Sequence, residues 1–375
     1  MKTRMSLAAA VFGALLIAAV GAACAGRSGG VVTIGAAGPW TEGYGQMNRR
    51  GLDLAVEELN ARGGVKGQRV VVLDRNDGGD GVRASAIAQE FVGNRDVVAV
   101  VGHVNSGAMV AAAKVYDGAL PAVATTATSP DLTGISPWVF RVISSDSANG
   151  MEIGRFASRL SDPTTGAPRA AILYENNSYG RGLAGAFRRN FTGEIVSMDP
   201  VAASDTSFEP FVAHFKRAGV NVVFVAGTEA SGMALLREAR RQKLRAAFLG
   251  GDGWTGVVRD SAAAEGAYVG APFTAADPRP EAQRFVAAFE KKYGVTPDGN
   301  AAMAYDATML VARAIAEVGP RRAAIREYLA GLDERTAFVG VTGPIRFQAS
   351  GDPTGRGIVM TQIRGGALLV AEGTR

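Results

Sequence analysis

The sequence predicts an α/β protein built as two doubly wound, Rossmann-like lobes, and three observations carry that reading. Short apolar runs rich in Val, Ala and Ile alternate with longer stretches whose apolar residues recur at helical spacing. The alternation reaches a strand over 139–143 and starts afresh at Asp146, which argues for two sheets rather than one large one. Within the first set, residues 97–133 form a βαβ unit whose strands both end in hydroxyl residues. Ligands of open parallel sheets bind beyond those carboxyl ends.

Taken in order, 31–37 (VVTIGAA) is the first strand, followed by the loop GPWTEGYG over 38–45. A helix over 47–62 places Leu52, Ala55, Val56 and Leu59 at i, i+3, i+4 and i+7, and stops at Gly63-Gly64. A strand over 69–74 and a helix over 81–93 precede the βαβ unit. In that unit Ser106 lies where a helix N-cap belongs, so free N–H groups and the positive helix end point at one place. A small anion such as a carboxylate suits that place, although Ser and Thr also cap helices and shape turns with no ligand. The second set gives strands over 169–174, 194–198, 222–226, 247–249 and 268–271, with helices over 146–160, 182–191, 208–218 and 231–242. A Pro-rich stretch over 274–280 leads to helices over 281–293, 301–318 and 322–332, then strands near 343–348 and 358–363. These last pieces are too few for a third domain, so they are expected to complete the two lobes, with the chain crossing between them several times.

Residues 1–23 read as a signal peptide, with Lys2 and Arg4 before an apolar segment over 7–20 and small residues before Cys24. Cys24 is the single cysteine, so no internal disulfide can form. Its position resembles a bacterial lipoprotein signal, in which the cysteine becomes the lipid-modified mature N-terminus and 24–30 its tether. Gly21 departs from that pattern, where a large apolar residue is usual, and cleavage near Ala23 or Ala25 is the alternative. Either route exports the protein.

Composition narrows the function further. A 375-residue chain with 47% hydrophobic and 20% charged residues is ordinary for globular domains and has room for two cores. The net charge of +5 is spread along helices among acids, with no basic cluster interleaved with aromatics, which argues against nucleic-acid binding. Gly180-Arg181-Gly182-Leu183-Ala184-Gly185 spells G-x-G-x-x-G, but its first glycine is set back from the strand by residues 175–179, unlike a dinucleotide fingerprint. His103 and His214 are far apart, no residues have metal-ligand spacing, and no acid/base pair is recognisable. No catalytic residue, metal or cofactor is expected.

Seven segments in order, IGAAGPWTEGYG, GLDLAVEELNARGGVKGQRV, VVAVVGHVNSG, ATTATSPDLT, YENNSYGRGLA, FLGGDGW and AAMAYDA, carry a family resemblance over 31–373. The chain resembles the type I periplasmic binding proteins of branched-chain amino acid transport, the leucine/isoleucine/valine-binding group. That resemblance implies two lobes joined by three crossover strands, closing like a clamshell: 31–145 with 274–350, and 146–273 with 351–375. It implies that Ser106 and the segment Thr126, Ala127 and Thr128 hold a ligand carboxylate, and that Asp252 pairs with the α-ammonium. Tyr44 and Tyr179 would wall the pocket from opposite lobes, and Thr228 stands at a position often aromatic in amino-acid binders. Trp40 and Trp254 are candidates to replace that surface or, equally, core residues. Some relatives carry a disulfide whose two positions match Gly79 and Asn105 here, so both halves are missing together. A ligand side chain larger or more polar than leucine's follows from these departures. His103 falls where the family often has a histidine, which implies a structural role.

The expected function is capture of an amino acid, branched-chain or related, for an ABC importer. Its partners would be permease subunits and, through Cys24, the membrane. A sensory or envelope-regulatory lipoprotein on the same fold, or a binder of a small amide or aromatic acid, are the alternatives.

Overall fold

The computed structural model describes residues 29–160 and 166–372; the signal peptide, Cys24 and the tether through residue 28 lie outside the described residues. Val31–Gly38 (β1), Arg69–Asn76 (β2), Val97–Gly102 (β3), Ala122–Ala124 (β4) and Val139–Arg141 (β5) make a parallel sheet in the order β2-β1-β3-β4-β5. Every residue of β3 is buried, which explains a strand of Val, Ala and Gly without polar alternation. Gly43–Ala61 (α1) lies on one face of this sheet, and Gly81–Gly93 (α2) and Ser106–Tyr116 (α3) lie on the other. The chain leaves β1 for a neighbour on one side and reaches β3 on the other, so the strand order reverses at β1 and β3. The crevice beyond their carboxyl ends is the expected ligand position.

After β5 the chain crosses to a second sheet. Asp146–Ala157 (α4), Ser178–Asn190 (α5), Glu209–Arg217 (α6), Glu229–Arg241 (α7) and the short Ser261–Ala264 (α8) surround Arg169–Glu175 (β6), Glu194–Val201 (β7), Val222–Ala226 (β8), Ala247–Gly250 (β9) and Tyr268–Ala271 (β10). Here the order reverses at β6 and β8. Pro280–Tyr293 (α9), Gly299–Val318 (α10) and Arg322–Ala330 (α11) then return to the first lobe, where Met303, Leu310, Ile315, Ile325 and Leu329 pack with Ile34 and Leu52. Phe338–Gly340 (β11) and Gly343–Ile345 (β12) form a hairpin whose Val341 and Thr342 N–H groups donate to the buried Asp306 of α10. The final crossing delivers Val359–Arg364 (β13) antiparallel to β10 and Ala367–Val370 (β14) antiparallel to β13. Three crossings therefore join the two sheets, and the tail completes both, as the sequence implies.

Several elements differ from the sequence reading. Helix α1 begins at Gly43 rather than 47, because two glycines depress its intrinsic propensity while tertiary context still closes the first turn from Gln46 N to Glu42 O at 2.8 Å. Helix α5 begins at Ser178 rather than 182, capped by Asn177 Oδ1 accepting from Gly180 N at 2.9 Å. The G-x-G-x-x-G run thus lies inside a helix, not at a strand-to-helix turn. Strand β14 is absent from the sequence reading. Its signal is Gly365-Gly366, both at positive φ (58° and 78°), a two-residue hairpin turn that only glycines enter freely.

The edge strand β5 carries the buried Arg141, which donates to Thr128 O (2.9 Å), Ser129 O (2.8 Å) and Thr133 Oγ1 (2.8 Å) and pairs with Asp352 on the last crossing. One guanidinium therefore ties the end of β4 to the return of the chain. Arg141→Ala should lower unfolding free energy by about 3 to 5 kcal/mol, as expected for one partner of a buried pair. Arg141→Lys should recover only part of that, since an ammonium cannot span four acceptors in a fork. Urea denaturation of the three proteins is the measurement, and a loss within error of zero for Arg141→Ala would count against this role.

Candidate ligand-binding site

A cavity lies where the carboxyl ends of both sheets face each other, the place where open α/β sheets take their ligands. Its lining from the first sheet includes Tyr44, Ser106 and Thr126; from the second, Tyr179, Thr228 and Asp252. Six of the sequence-predicted ligand residues thus meet in one place, and Tyr44 and Tyr179 enter from opposite sheets. Ala127 and Thr128 do not line it: Ala127 is core and Thr128 is fully buried behind the wall. Trp254 is fully buried in the second core and Trp40 packs against the first, so neither replaces the aromatic surface missing at Thr228.

The first wall is built from α3 and the loop after β4. Asn105, not Ser106, is the N-cap, so Ser106 opens the helix; the first turn closes from Met109 N to Asn105 O. The N–H groups of Ser106 and Gly107 stand before that bond, as at any helix start. Ser106 Oγ accepts from both Thr128 N and Ser129 N at 3.1 Å. With its acceptor capacity filled, the hydroxyl proton is left to donate into the cavity. Thr126 Oγ1 donates to Val104 O at 3.3 Å. This wall presents donors and the positive end of a helix, which suits a carboxylate.

The opposite wall is an acceptor. Asp252 opens a 3-10 segment, Asp252–Arg259, directly after β9, and its Oδ1 accepts from Tyr179 Oη at 3.2 Å. Tyr179 Oη in turn accepts from Gly253 N at 3.0 Å. A Cβ at Gly251 or Gly253 would stand 3.1 or 2.9 Å from that oxygen, so the flanking glycines exist to admit the tyrosine. Burial pushes the Asp252 carboxyl up to about 6 and the Tyr179 hydroxyl well above its ordinary range. Behind Asp252 lies Asp146, fully buried, whose oxygens have no well-formed hydrogen bond. Burial first, then the Asp252 charge, pushes Asp146 well up, against weaker pulls from the Thr128 hydroxyl and Arg141. Two neighbouring buried carboxyls cannot both ionise without a cation, and a ligand ammonium at Asp252 would supply it.

Several lining residues escaped the sequence reading. Asn105 and Gly79 meet, a Cβ at Gly79 falling 3.2 Å from Asn105 Oδ1, and Asn105 Nδ2 donates to Tyr44 Oη at 2.9 Å. Burial leads the causes that raise the Tyr44 hydroxyl to about 12. Asn177 and Asn300 also reach the cavity, Asn300 from the start of α10. Glu175 holds Thr228 in place, its Oε1 accepting from Thr228 N and Oγ1 at 2.7 Å. Asn177 and Asp146 stand at helix starts, a placement visible in YENNSYG and in SSDS, but a cap and a ligand contact read alike in sequence. His103 is fully buried away from the cavity, between Asp77 Oδ2 at 2.6 Å and Tyr116 Oη at 3.0 Å. Among the described residues no cluster of His, Cys, Asp and Glu could hold a metal ion.

These carboxyls set a pH dependence. The unliganded protein holds a proton at Asp252 below about pH 6, whereas an unfolded aspartate, at its ordinary 3.8, has already lost it there. That proton therefore favours the folded, empty protein more as pH falls from about 6 toward 4. A cationic ligand group prefers the carboxylate, so its binding must expel the proton. Affinity for such a ligand should be flat above about pH 7 and fall by up to about tenfold per unit below pH 6, with proton release seen by calorimetry in buffers of different ionisation enthalpy. Asp252→Asn should flatten that slope.

The comparisons with known proteins agree with this geometry. A family model described as periplasmic binding protein matches residues 31–367. The "Leu/Ile/Val-binding protein homolog 2" of Brucella abortus (strain 2308) is 29% identical over 92% of this chain and 93% of its own length. The leucine-, isoleucine-, valine-, threonine- and alanine-binding protein of Pseudomonas aeruginosa is 30% identical over 91% and 92%. Among solved structures, the branched-chain amino acid transporter substrate binding protein LivJ from Streptococcus pneumoniae, in complex with isoleucine, superposes with a TM-score of 0.83 at 27% identity, over 91% of this chain and 99% of that one. With the family model spanning nearly all of the described chain and both sheets in place, this chain belongs to the periplasmic binding protein family.

Proposed function

We propose that this chain is the extracytoplasmic substrate-binding protein of an ABC importer, that it captures an amino acid by closure of its two lobes, and that it delivers the ligand to permease subunits. The observation that carries the ligand class is one cavity with donors on the first-sheet wall and a buried carboxyl pair on the second. That is the charge pattern of a zwitterion read end to end, with hydrogen bonds to charged groups strengthened where water is excluded. The named relatives, which bind branched-chain and other small amino acids, support the same class. The lobes that close are 31–145 with 274–350, and 146–273 with 351–375. Ser106, Thr126 and the start of α3 take the carboxylate; Asp252, held by Tyr179 and backed by Asp146, takes the ammonium.

A thermodynamic cycle tests the ammonium assignment. Asp252→Ala would leave a buried positive charge unpaired, which typically costs about 3 to 5 kcal/mol, or roughly 10² to 10³-fold in affinity. Ser106→Ala should cost on the order of 1 to 2 kcal/mol, because the helix N–H groups still face the carboxylate. A deaminated analogue should bind wild type weakly and lose little more in Asp252→Ala, since both changes delete one interaction. Calorimetry closes the cycle with an amino acid first identified by mass spectrometry of ligand released from the purified protein. Simple additivity of the two losses would refute the ammonium role and favour a small amide or aromatic acid as ligand.

The anchor rests on Cys24 alone. Mature protein from the native host should begin at Cys24 and carry lipid, and Cys24→Ser should abolish lipid labelling and membrane retention while leaving ligand affinity unchanged. An N-terminus at any other residue refutes the anchor.

A further inference from the structure

With the carboxylate and ammonium ends of the cavity assigned as proposed above, the wall left to face a ligand side chain is Tyr44, Gly79, Val104, Asn105, Asn177, Thr228 and Asn300. Val104 is the one aliphatic residue in that set. No Leu, Ile, Met, Phe or Trp lines any part of the cavity. A pocket that selects a branched aliphatic side chain gains its affinity by covering apolar surface with apolar surface, and this wall offers it only through Val104 and the Tyr44 ring.

What it offers is hydrogen-bonding capacity that the protein itself leaves unmet. Asn105 spends Nδ2 on Tyr44 Oη, and its Oδ1 is buried with no partner. Were the amide turned end for end, Tyr44 would serve Oδ1 and Nδ2 would be the atom without a partner, so the deficit stays on Asn105 either way. Thr228 Oγ1 gives its proton to Glu175 and keeps acceptor capacity. Asn300 Nδ2 makes only long contacts, 3.3 Å to Thr255 Oγ1 and 3.3 Å to Asp298 Oδ2. An aliphatic side chain closed against these groups would desolvate Thr228 and leave Asn105 Oδ1 without a partner.

The wall is also neutral. Three carboxylates stand behind it, and each is occupied: Asp77 accepts from Gly79 N, Asp298 from Ala301 N and Asn300 Nδ2, and Glu175 from Thr228 N, Thr228 Oγ1, Ser231 Oγ and Asn177 Nδ2. Glu175 is thus an anchor for Thr228 rather than open to a cationic side chain.

We infer that the ligand is an amino acid whose side chain is uncharged and carries an N–H or O–H donor, a hydroxyl or carboxamide, and that Asn105 is the residue that selects it. This rests on the amino-acid reading given above. Gly79 leaves space beside Asn105, and Tyr44 Oη, which accepts from Asn105, retains a proton for an acceptor on the same side chain. A site built on hydrogen bonds rejects the analogue that lacks them far more strongly than an apolar pocket discriminates by size.

The test is calorimetry on the soluble mature chain with serine, threonine, asparagine, glutamine, leucine, isoleucine, valine, lysine and glutamate. The best hydroxyl or carboxamide amino acid should bind at least ~10-fold more tightly than leucine, isoleucine or valine. Asn105→Leu, of nearly the same size, should shrink or invert that ratio by weakening the polar ligand and strengthening leucine. The wild-type panel decides the matter even if the variant folds poorly. A branched aliphatic or a charged amino acid binding as tightly as the best neutral polar one overturns the inference while leaving the amino-acid reading intact. So does a folded Asn105→Leu with an unchanged ratio. Failure of every amino acid to bind, with a deaminated acid or amide binding instead, overturns the amino-acid reading and this inference with it.

Discussion

The peptide groups of Thr128 and Ser129 are held from both sides, and much of the molecule depends on how. Their N–H groups both donate to Ser106 Oγ, and their carbonyls both accept from Arg141. Thr128 O accepts a second bond, from Asp146 N at 2.8 Å, at the first residue of the helix that opens the second lobe. Arg141 meanwhile pairs with Asp352 on the last crossing. One turn of backbone at the end of a short strand thus fixes the donor wall of the cavity, the first crossing and the last. The loop is buried, so each of those groups would cost about 1 to 3 kcal/mol if left unmet. That penalty is why a loop can serve as a rigid wall. The first crossing meets the donor wall through the Asp146 N–H to Thr128 bond.

The opposite wall is rigid for a different reason and is electrostatically incomplete. Tyr179, Gly253 and Asp252 make a closed relay of hydrogen bonds, so the carboxylate is positioned before any ligand arrives. Yet Asp252 and Asp146 are neighbours in a place where neither can be well solvated. Below about pH 6 the empty protein holds a proton at Asp252. In the filled protein a cationic ligand group can take its place, and Asp252 can then ionise. The gain from that exchange is set by the difference between two ways of neutralising the same charge, not by the full Coulomb energy of a buried ion pair. A carboxylate ligand without an ammonium leaves the proton in place and forgoes the gain.

Much of this was legible in the sequence, and the limits have physical causes. Strands β1, β3, β6 and β8 announce themselves because both their faces are covered, so Val, Ala and Ile run without interruption. The hydroxyl-rich strand end after β4 stands out because polar residues there interrupt an apolar pattern at the place where such sheets bind ligands, whereas Asp252 after β9 is singled out by the family resemblance alone. The resemblance implies ligand contacts for Ala127 and Thr128 as well as Thr126, but a loop that turns through a core must bury every second or third residue, and sequence does not say which. Asp146 reads in sequence only as the start of a helix: its burial near Asp252 couples residues more than a hundred positions apart. Trp40 and Trp254 fit wall and core equally in sequence, and both pack with the cores, where a large ring covers the most apolar area.

The least legible residues are the ones that face the middle of the cavity, and the helix caps show why. Asn105, Asn177 and Thr228 all occupy N-cap positions, where Asn and Thr are common for reasons of helix stability alone. Asn177 behaves as its position predicts and accepts from Gly180 N. Asn105 and Thr228 cap nothing: the Asn105 amide turns to Tyr44, and the Thr228 hydroxyl turns to Glu175. Each forgoes a bond worth about 0.5 to 2 kcal/mol to its own helix. Helix α3 can accept that loss because Ala108, Met109, Ala112 and Ala113 bury its apolar face in the first core; α7 does so through Leu235, Leu236 and Ala239 in the second. A cap position released from capping is a side chain that can change without cost to the helix. The scaffold can therefore keep the two walls of the cavity as they are while the residues between them are altered to suit another ligand.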